Sequence, residues 1–278
     1  MKKALLIGIN YVSMPTVTLN GCIDDIVNVH NMIIDAYNYD KSNIIMLRDD
    51  NDNASTQPTH ENIINRLIDL ARESVNLDEI WIHYSGHGSQ IQNSIRGSAK
   101  KMKEIIIPID YDTKGYITDF EITNIIKQIK CRAILIFDSC HSGTICDLPW
   151  SIEYVKDSSY NIIKNEDDAF ANPNVFLMSG CKDTQTSADS FNDISQEYVG
   201  AFSDLFIECL RDSHHNIEIR DLYRNVCISM KNNGFVQVPL MSVTDISSAY
   251  YFNRNIANYV AKTTRSQIQH RNRMRMNF

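Results

Sequence analysis

Residues 138–143 read DSCHSG, directly after the apolar run Ala133-Ile134-Leu135-Ile136-Phe137. An acid, a hydroxyl, a thiol and an imidazole therefore stand together where a buried strand should end. A second stretch, IWIHYSGHG, brings its own apolar run to a close at His87 and Gly88. A thiol of ordinary pKa, about 8.5, is only a few per cent thiolate at neutral pH, and a nearby imidazole raises that fraction. The thiolate can attack a carbonyl while the imidazolium protonates the leaving amine. Gly86 and Gly88 on either side of His87 let a bound backbone come close. The amides of Gly88 and Cys140 are candidates for holding an oxyanion.

Other readings of the same residues are weaker. A lone Cys after a strand is most often a buried thiol, but a His-Gly at a second strand end reverses that balance. His83 and His87 imitate an H-x-x-x-H metal pair, yet on a strand they stand ~13 Å apart. His141 and Cys146 might join Cys140 around zinc, but no paired CxxC supports this. Cys140 and Cys146 also lack the spacing of a thioredoxin-type redox pair. Ser139 and His141 are read as shaping the loop.

These residues need a scaffold, and the apolar patterning describes one. Continuous apolar strands are expected at 3–9, 43–47, 79–84, 133–137 and 174–178, with a short one at 104–109 and a last near 236–243. Helices are expected at 23–37, 59–74, from 118 to 129, at 198–210 and at 219–231. In the second of these, Ile63, Ile64, Leu67, Ile68 and Ala71 share one face. Thr118 and Glu121 form a capping-box pattern. Short strands apolar on both faces, alternating with amphipathic helices, indicate an α/β domain with a mostly parallel sheet. Such sheets place reactive groups at the carboxyl ends of their strands. If the strands ending before His87 and Cys140 are neighbours, ~4.8 Å apart, both residues can meet over one substrate. The helix between them supplies a right-handed crossover.

Composition excludes several classes. A formal charge of −7 argues against a dedicated nucleic-acid binder and mildly favours cationic substrates. The opening MKKALLIGIN superficially resembles a signal peptide, but the apolar run is short, lacks a cleavage site and is interrupted by Asn10. It reads better as a first buried strand. No run reaches the ~18 apolar residues of a membrane span. Seven irregularly spaced cysteines with no export signal imply reduced thiols in the cytoplasm. Residues 1–252 are read as one catalytic domain: a large part, 1–147, a polar irregular connector, 148–173, and a small part, 174–252. Residues 253–278 carry six Lys/Arg and no acid, and read as a flexible solvated tail. Weak electrostatic contact of that tail with RNA or anionic lipid is the alternative.

The blocks HYSGHGSQ (83–90) and DSCHSG (138–143), 53 residues apart from His87 to Cys140, resemble the catalytic blocks of a metacaspase. ALLIGINY (4–11), LNGCIDDI (19–26), IPIDY (107–111), GYITDFE (115–121), SGCKDTQTSAD (179–189), VGAFSDLF (199–206) and QVPLMS (237–242) extend the likeness in order. A caspase proper is less similar, because Asp138-Ser139 stands where its Gln-Ala would be. The resemblance implies a caspase-like sandwich with a mostly parallel central sheet flanked by helices. It implies a monomeric cysteine endopeptidase acting on proteins or peptides with Arg or Lys before the scissile bond. It also carries over an acidic pocket formed by Asp25 and Asp138, with Ser85 and Cys22 beside them. A carboxylate in a closed pocket suits guanidinium or ammonium and rejects acidic side chains. By itself Asp25, like Asp24, would be read as a helix N-terminal acid. A catalytically silent caspase-like binding module, a legumain-like protease and a non-proteolytic acyltransferase are the rivals.

Calcium is where the chain departs from that family. Asp119 and Asp147 match acidic positions of the family's calcium site, but Phe120 replaces the second of a paired acid. The loop RGSAKKMKE (96–104) carries lysines where acids are expected. A hard dication wants 6–8 oxygen ligands, so no cofactor is expected to be required and calcium dependence should be weak or absent. The chain is read as the compact type, for which no Pro-rich N-terminal extension of the family's kind is expected. Lys156 and Lys164 in the connector, and Arg265, Arg271, Arg273 and Arg275 in the tail, are candidate self-cleavage points.

Overall fold

A computed structural model describes residues 1–93, 102–140, 145–157, 159–165, 170–180, 201–235 and 237–254. The first half alternates as the patterning predicts: β1 (Lys2–Gly8), α1 (Cys22–Tyr37), β2 (Ile44–Arg48), α2 (His60–Glu73) and β3 (Glu79–Ser85). Next come β4 (Gly88–Gln92), β5 (Met102–Ile106), the short α3 (Tyr111–Lys114), β6 (Ile117–Thr118), α4 (Asp119–Ile126) and β7 (Arg132–Asp138). The remainder is β8 (Trp150–Lys156), β9 (Ser159–Lys164), β10 (Val175–Ser179), α5 (Ala201–Asp212), β11 (Ile217–Glu218), α6 (Ile219–Asn232), β12 (Leu240–Val243) and β13 (Tyr251–Phe252).

Eight strands form the central sheet in the order β2-β1-β3-β7-β10-β12-β8-β9. The pairs from β2 to β10 are parallel, and those from β10 to β9 are antiparallel. The continuous apolar character of β1 has a direct cause. Ala4 and Leu6 pack on one face with residues of α1, α5 and α6, while Leu5 and Ile7 pack on the other with residues of α2 and α4. Both faces of the strand are buried, so no polar position is tolerated. Thr118 caps α4 through the expected box, its hydroxyl accepting from the Glu121 amide while Glu121 reaches back to Thr118.

Two expectations need correction. The segment 148–173, read as an irregular connector, contains the β8–β9 hairpin, which extends the sheet to its edge. The stretch 104–109 does hold a strand, β5, but it lies outside the central sheet. It pairs with β4 and β6 in a separate three-stranded layer, and β4 directly follows His87.

Candidate active site

β3 and β7 are neighbours, paired in parallel with Ser85 opposite Asp138. The Gly86 amide donates to the Asp138 carbonyl at 3.3 Å, so the two chains leave the sheet together. Close contact continues one step further. A Cβ on Gly88 would lie 2.3 Å from the Cys140 carbonyl oxygen and 2.9 Å from Ser139 Oγ. Only glycine lets the His87 chain pass this near the Cys140 chain. The expected convergence of His87, Gly88 and Cys140 is thus present in the backbone. Cys140 is half-buried, and no disulfide forms among the described cysteines. His141 lies outside the described residues.

His87 is 4% exposed. Its Nε2 lies 2.7 Å from the Val17 carbonyl oxygen, and a carbonyl can only accept, so Nε2 carries the hydrogen. The neutral ring therefore keeps its lone pair on Nδ1. Burial lowers the imidazole pKa below its usual value, and the Val17 hydrogen bond partly offsets this. Val17 belongs to the turn after β1. Both Asp49 carboxylate oxygens fix that turn, accepting from the amides of Asn10 and Val12 at 2.8 Å each. Tyr11 in the same turn sits at φ 54°, an uncommon left-handed conformation for an aromatic residue.

The four residues expected to form an acidic pocket are gathered. Asp25 and Asp138 are each 2% exposed. Ser85 Oγ donates to Asp25 Oδ2 at 2.6 Å, and the Ser203 amide, in the first turn of α5, donates to Asp138 Oδ2 at 2.8 Å. Burial pushes the Asp25 carboxyl well above its usual value, as does the nearby Asp138, while the Ser85 hydrogen bond opposes them. Cys22 is fully buried beside Asp25, and burial raises its thiol pKa, with the Asp25 charge adding to it. Asp25 does stand in the first turn of α1, but it points inward, whereas Asp24 is exposed. Two residues of this cluster went unread in the sequence. Ser203 donates through its backbone, which no side-chain pattern reveals, and Asp204 adds to the repulsion on Asp25 from a distant helix.

Of the positions matched to calcium, Asp119 and Asp147 lie among the described residues. Both Asp119 oxygens accept backbone amides, Oδ2 from Glu104 at 3.1 Å and Oδ1 from Phe120 at 2.7 Å. Asp147 is half-buried on left-handed backbone with φ 41°. Among the described residues no group of three or more His, Cys, Asp or Glu is placed to hold a metal ion. Residues 96–101 of the lysine-bearing loop lie outside the described residues, as does the tail from residue 255. Lys156 and Lys164 are both exposed, ending β8 and β9. Among the described residues no helix is long and apolar enough to cross a membrane.

Comparison with known proteins points the same way as the geometry. A family profile described as "Metacaspase, peptidase C14 domain" matches residues 2–149. Metacaspase-1 of Saccharomyces cerevisiae is 31% identical over 257 residues, covering 75% of this chain and 59% of that protein. Metacaspase-1B of Aspergillus terreus is 30% identical over 259 residues, covering 77% of this chain and 68% of that protein. The chain thus spans 59% of the length of its yeast relative. The crystal structure of caspase-1 from Spodoptera frugiperda aligns with a TM-score of 0.54 at 9% identity, covering 93% of this chain and 92% of that one. A Geobacter sulfurreducens protein of solved structure aligns at 0.57 and 17% identity, covering 93% and 98%. These two similarities bear on the fold alone, which is caspase-like.

Proposed function

The chain belongs to the metacaspase family, and on that premise we propose that it is a cysteine endopeptidase cutting after Arg or Lys. Cys140 is the nucleophile and His87 its acid–base partner. The observation that carries this reading is the junction at Gly88, where the His87 and Cys140 chains touch beside two buried carboxylates.

The chemistry proceeds in two halves. His87 Nδ1 takes the Cys140 proton as sulfur adds to the scissile carbonyl, and the amides of Gly88 and Cys140 hold the oxygen that becomes negative. The imidazolium returns its proton to the departing amine, leaving a thioester. Water, deprotonated by the same imidazole, adds to the thioester, and the acid product leaves as the thiol is restored. The Val17 carbonyl supports the sequence by holding the ring in one tautomer and strengthening it as a cation.

Asp25 and Asp138 receive the basic side chain. Their mutual repulsion is relieved when guanidinium or ammonium enters, so the empty pocket favours a cation over a neutral or acidic residue. Calcium is not required in this reading, because Phe120 replaces one of the paired acids and RGSAKKMKE (96–104) carries lysines where acidic ligands would be needed.

Hydrolysis of Arg-, Asn- and Asp-terminated fluorogenic peptides by wild type and Cys140→Ala, each with calcium or chelator, tests all of this. Arg cleavage that needs Cys140 and persists in chelator is the expected result. Cleavage of the Asn peptide over the Arg peptide would replace the specificity with a legumain-like one. Arg cleavage only with calcium would overturn the metal-independent part. No cleavage by folded wild type would favour a silent binding module.

A further inference from the structure

The backbone of His87 is held by two phenols that the reaction itself does not use. The His87 amide donates to Tyr11 Oη at 3.1 Å, and Tyr11 Oη donates to the Ile107 carbonyl at 2.6 Å. On the other side, Tyr84 Oη donates to the His87 carbonyl at 2.7 Å. The Ile107 amide closes the ring, 3.3 Å from the His87 carbonyl and 3.4 Å from Tyr84 Oη. The two hydroxyls lie 3.5 Å apart, and both tyrosines are fully buried. Tyr11 also stacks obliquely on the imidazole, with ring centroids 4.6 Å apart.

Two independent features indicate that the surroundings are shaped around this pair. Tyr11 adopts its left-handed φ of 54° within a turn fixed by Asp49. A Cβ on Gly86 would come within 2.7 Å of Tyr84 Oη and 3.4 Å of Tyr11 Oη. The glycine before His87 is therefore needed by the tyrosines as well as by the site. The turn after β1 delivers one phenol, β3 the other, and the chain just after β5 delivers Ile107, so three parts of the chain meet at one residue's peptide groups.

We propose that Tyr11 and Tyr84 are positioning residues for His87, fixing both of its peptide groups so that the imidazole stays aimed at the thiol. The inference rests on His87 being the acid–base residue. Without the Tyr11 hydroxyl, the buried His87 amide and Ile107 carbonyl both lose a partner and the backbone must shift to recover one. Misplacement of an acid–base group by ~1 Å can cost on the order of 100-fold in rate. The Asp25 and Asp138 carboxylates, which would hold the substrate cation, keep their Ser85 and Ser203 partners.

The test compares Tyr11→Phe and Tyr84→Phe with Tyr39→Phe, which loses a buried phenol hydrogen bond to Glu79 away from His87. Active sites are counted with a thiol-reactive peptidyl inhibitor, so that unfolded protein does not enter kcat. The expected result is kcat lower by about 10- to 100-fold in the first two, with KM within twofold, and no change in Tyr39→Phe. A second readout, the NMR titration of the His87 ring, should show moved or broadened resonances in the Tyr11 and Tyr84 variants. Unchanged kcat per titrated site, or losses matched by Tyr39→Phe, would overturn the assignment. If wild type cleaves nothing, the peptidase reading fails by itself. The ring resonances then decide the clamp: movement supports it, and identity with wild type refutes it.

Discussion

Asp25 carries an electrostatic conflict that, in the proposed function, a cationic substrate side chain resolves. Burial and the Asp138 charge raise its pKa, so its folded value lies above its unfolded one. Such a carboxyl binds its proton more tightly in the folded chain. Its contribution to stability is complete below the unfolded value, near ~3.9, and is lost as pH rises through the raised folded value. As pH rises above the unfolded value, the buried Asp25 carboxyl therefore weakens the fold relative to acid pH. Asp25→Asn keeps an acceptor for Ser85 and removes the repulsion. We expect its Tm at pH 7 to rise by about 2–4 °C. The same change should cut kcat/KM for an Arg peptide by about 30-fold or more, because a buried partner of the substrate cation is gone. In wild type, KM for that peptide should climb as pH falls through the raised pKa, and the variant should lack that dependence. A scan of Tm and KM against pH checks both. A lower Tm in the variant would mean that the Asp25 charge supports the fold.

At the scale of elements, legibility followed burial. β1, β3 and β7 were readable because both faces are covered, so their central residues are nearly all apolar, with the buried His83 of β3 as an exception. α2 and α4 announced themselves through a one-sided apolar face and a Thr118–Glu121 cap. The β8–β9 hairpin was not readable for the opposite reason. Lys164, Ile163, Ile162 and Asn161 in the edge strand β9 are all exposed, and no burial pattern alternates there. His87, Cys140, Asp25 and Asp138 could be read as candidates from motifs in the sequence. The Val17 carbonyl, the Ser203 amide and the phenols of Tyr11 and Tyr84 could not, since backbone groups and buried hydroxyls leave no periodic trace. The hairpin also sharpens the expectation of self-cleavage. Lys156 pairs with Ser159 next to the turn, beside Asp157 at φ 53°, whereas Lys164 is zipped opposite Trp150. Loop tips are nicked before paired strands. Mass spectrometry of incubated wild type should find the cut after Lys156 first, absent in Cys140→Ala. Earlier cleavage after Lys164 would contradict this order.

Across the whole molecule, chemistry and anchoring occupy opposite ends of the same strands. Ser85 ends β3 beside the acids, while Glu79 begins it, about 20 Å away at ~3.3 Å per residue. Glu79 is buried and gathers groups from distant parts of the chain. It accepts from Tyr39 Oη at 2.9 Å and Tyr250 Oη at 3.2 Å, and pairs with Lys2 at 3.0 Å and Arg132 at 3.3 Å. Each cation also lies over one of those rings, Lys2 above Tyr39 and Arg132 above Tyr250, both at 5.2 Å. β1, β3, β7 and the segment before β13 are thus tied at one carboxylate. Removing it unpairs two part-exposed cations and leaves two buried phenols short of a partner, at about 1–3 kcal/mol for each phenol. Glu79→Ala should therefore lower Tm by about 10 °C. Well below that Tm, kcat and KM per titrated active site should stay within twofold of wild type, because no group near His87 or Asp25 has moved. A fall in kcat with Tm unchanged would show that the two ends of the sheet are coupled. The expected result instead separates them: stability is set at the amino ends of the strands, and turnover at their carboxyl ends.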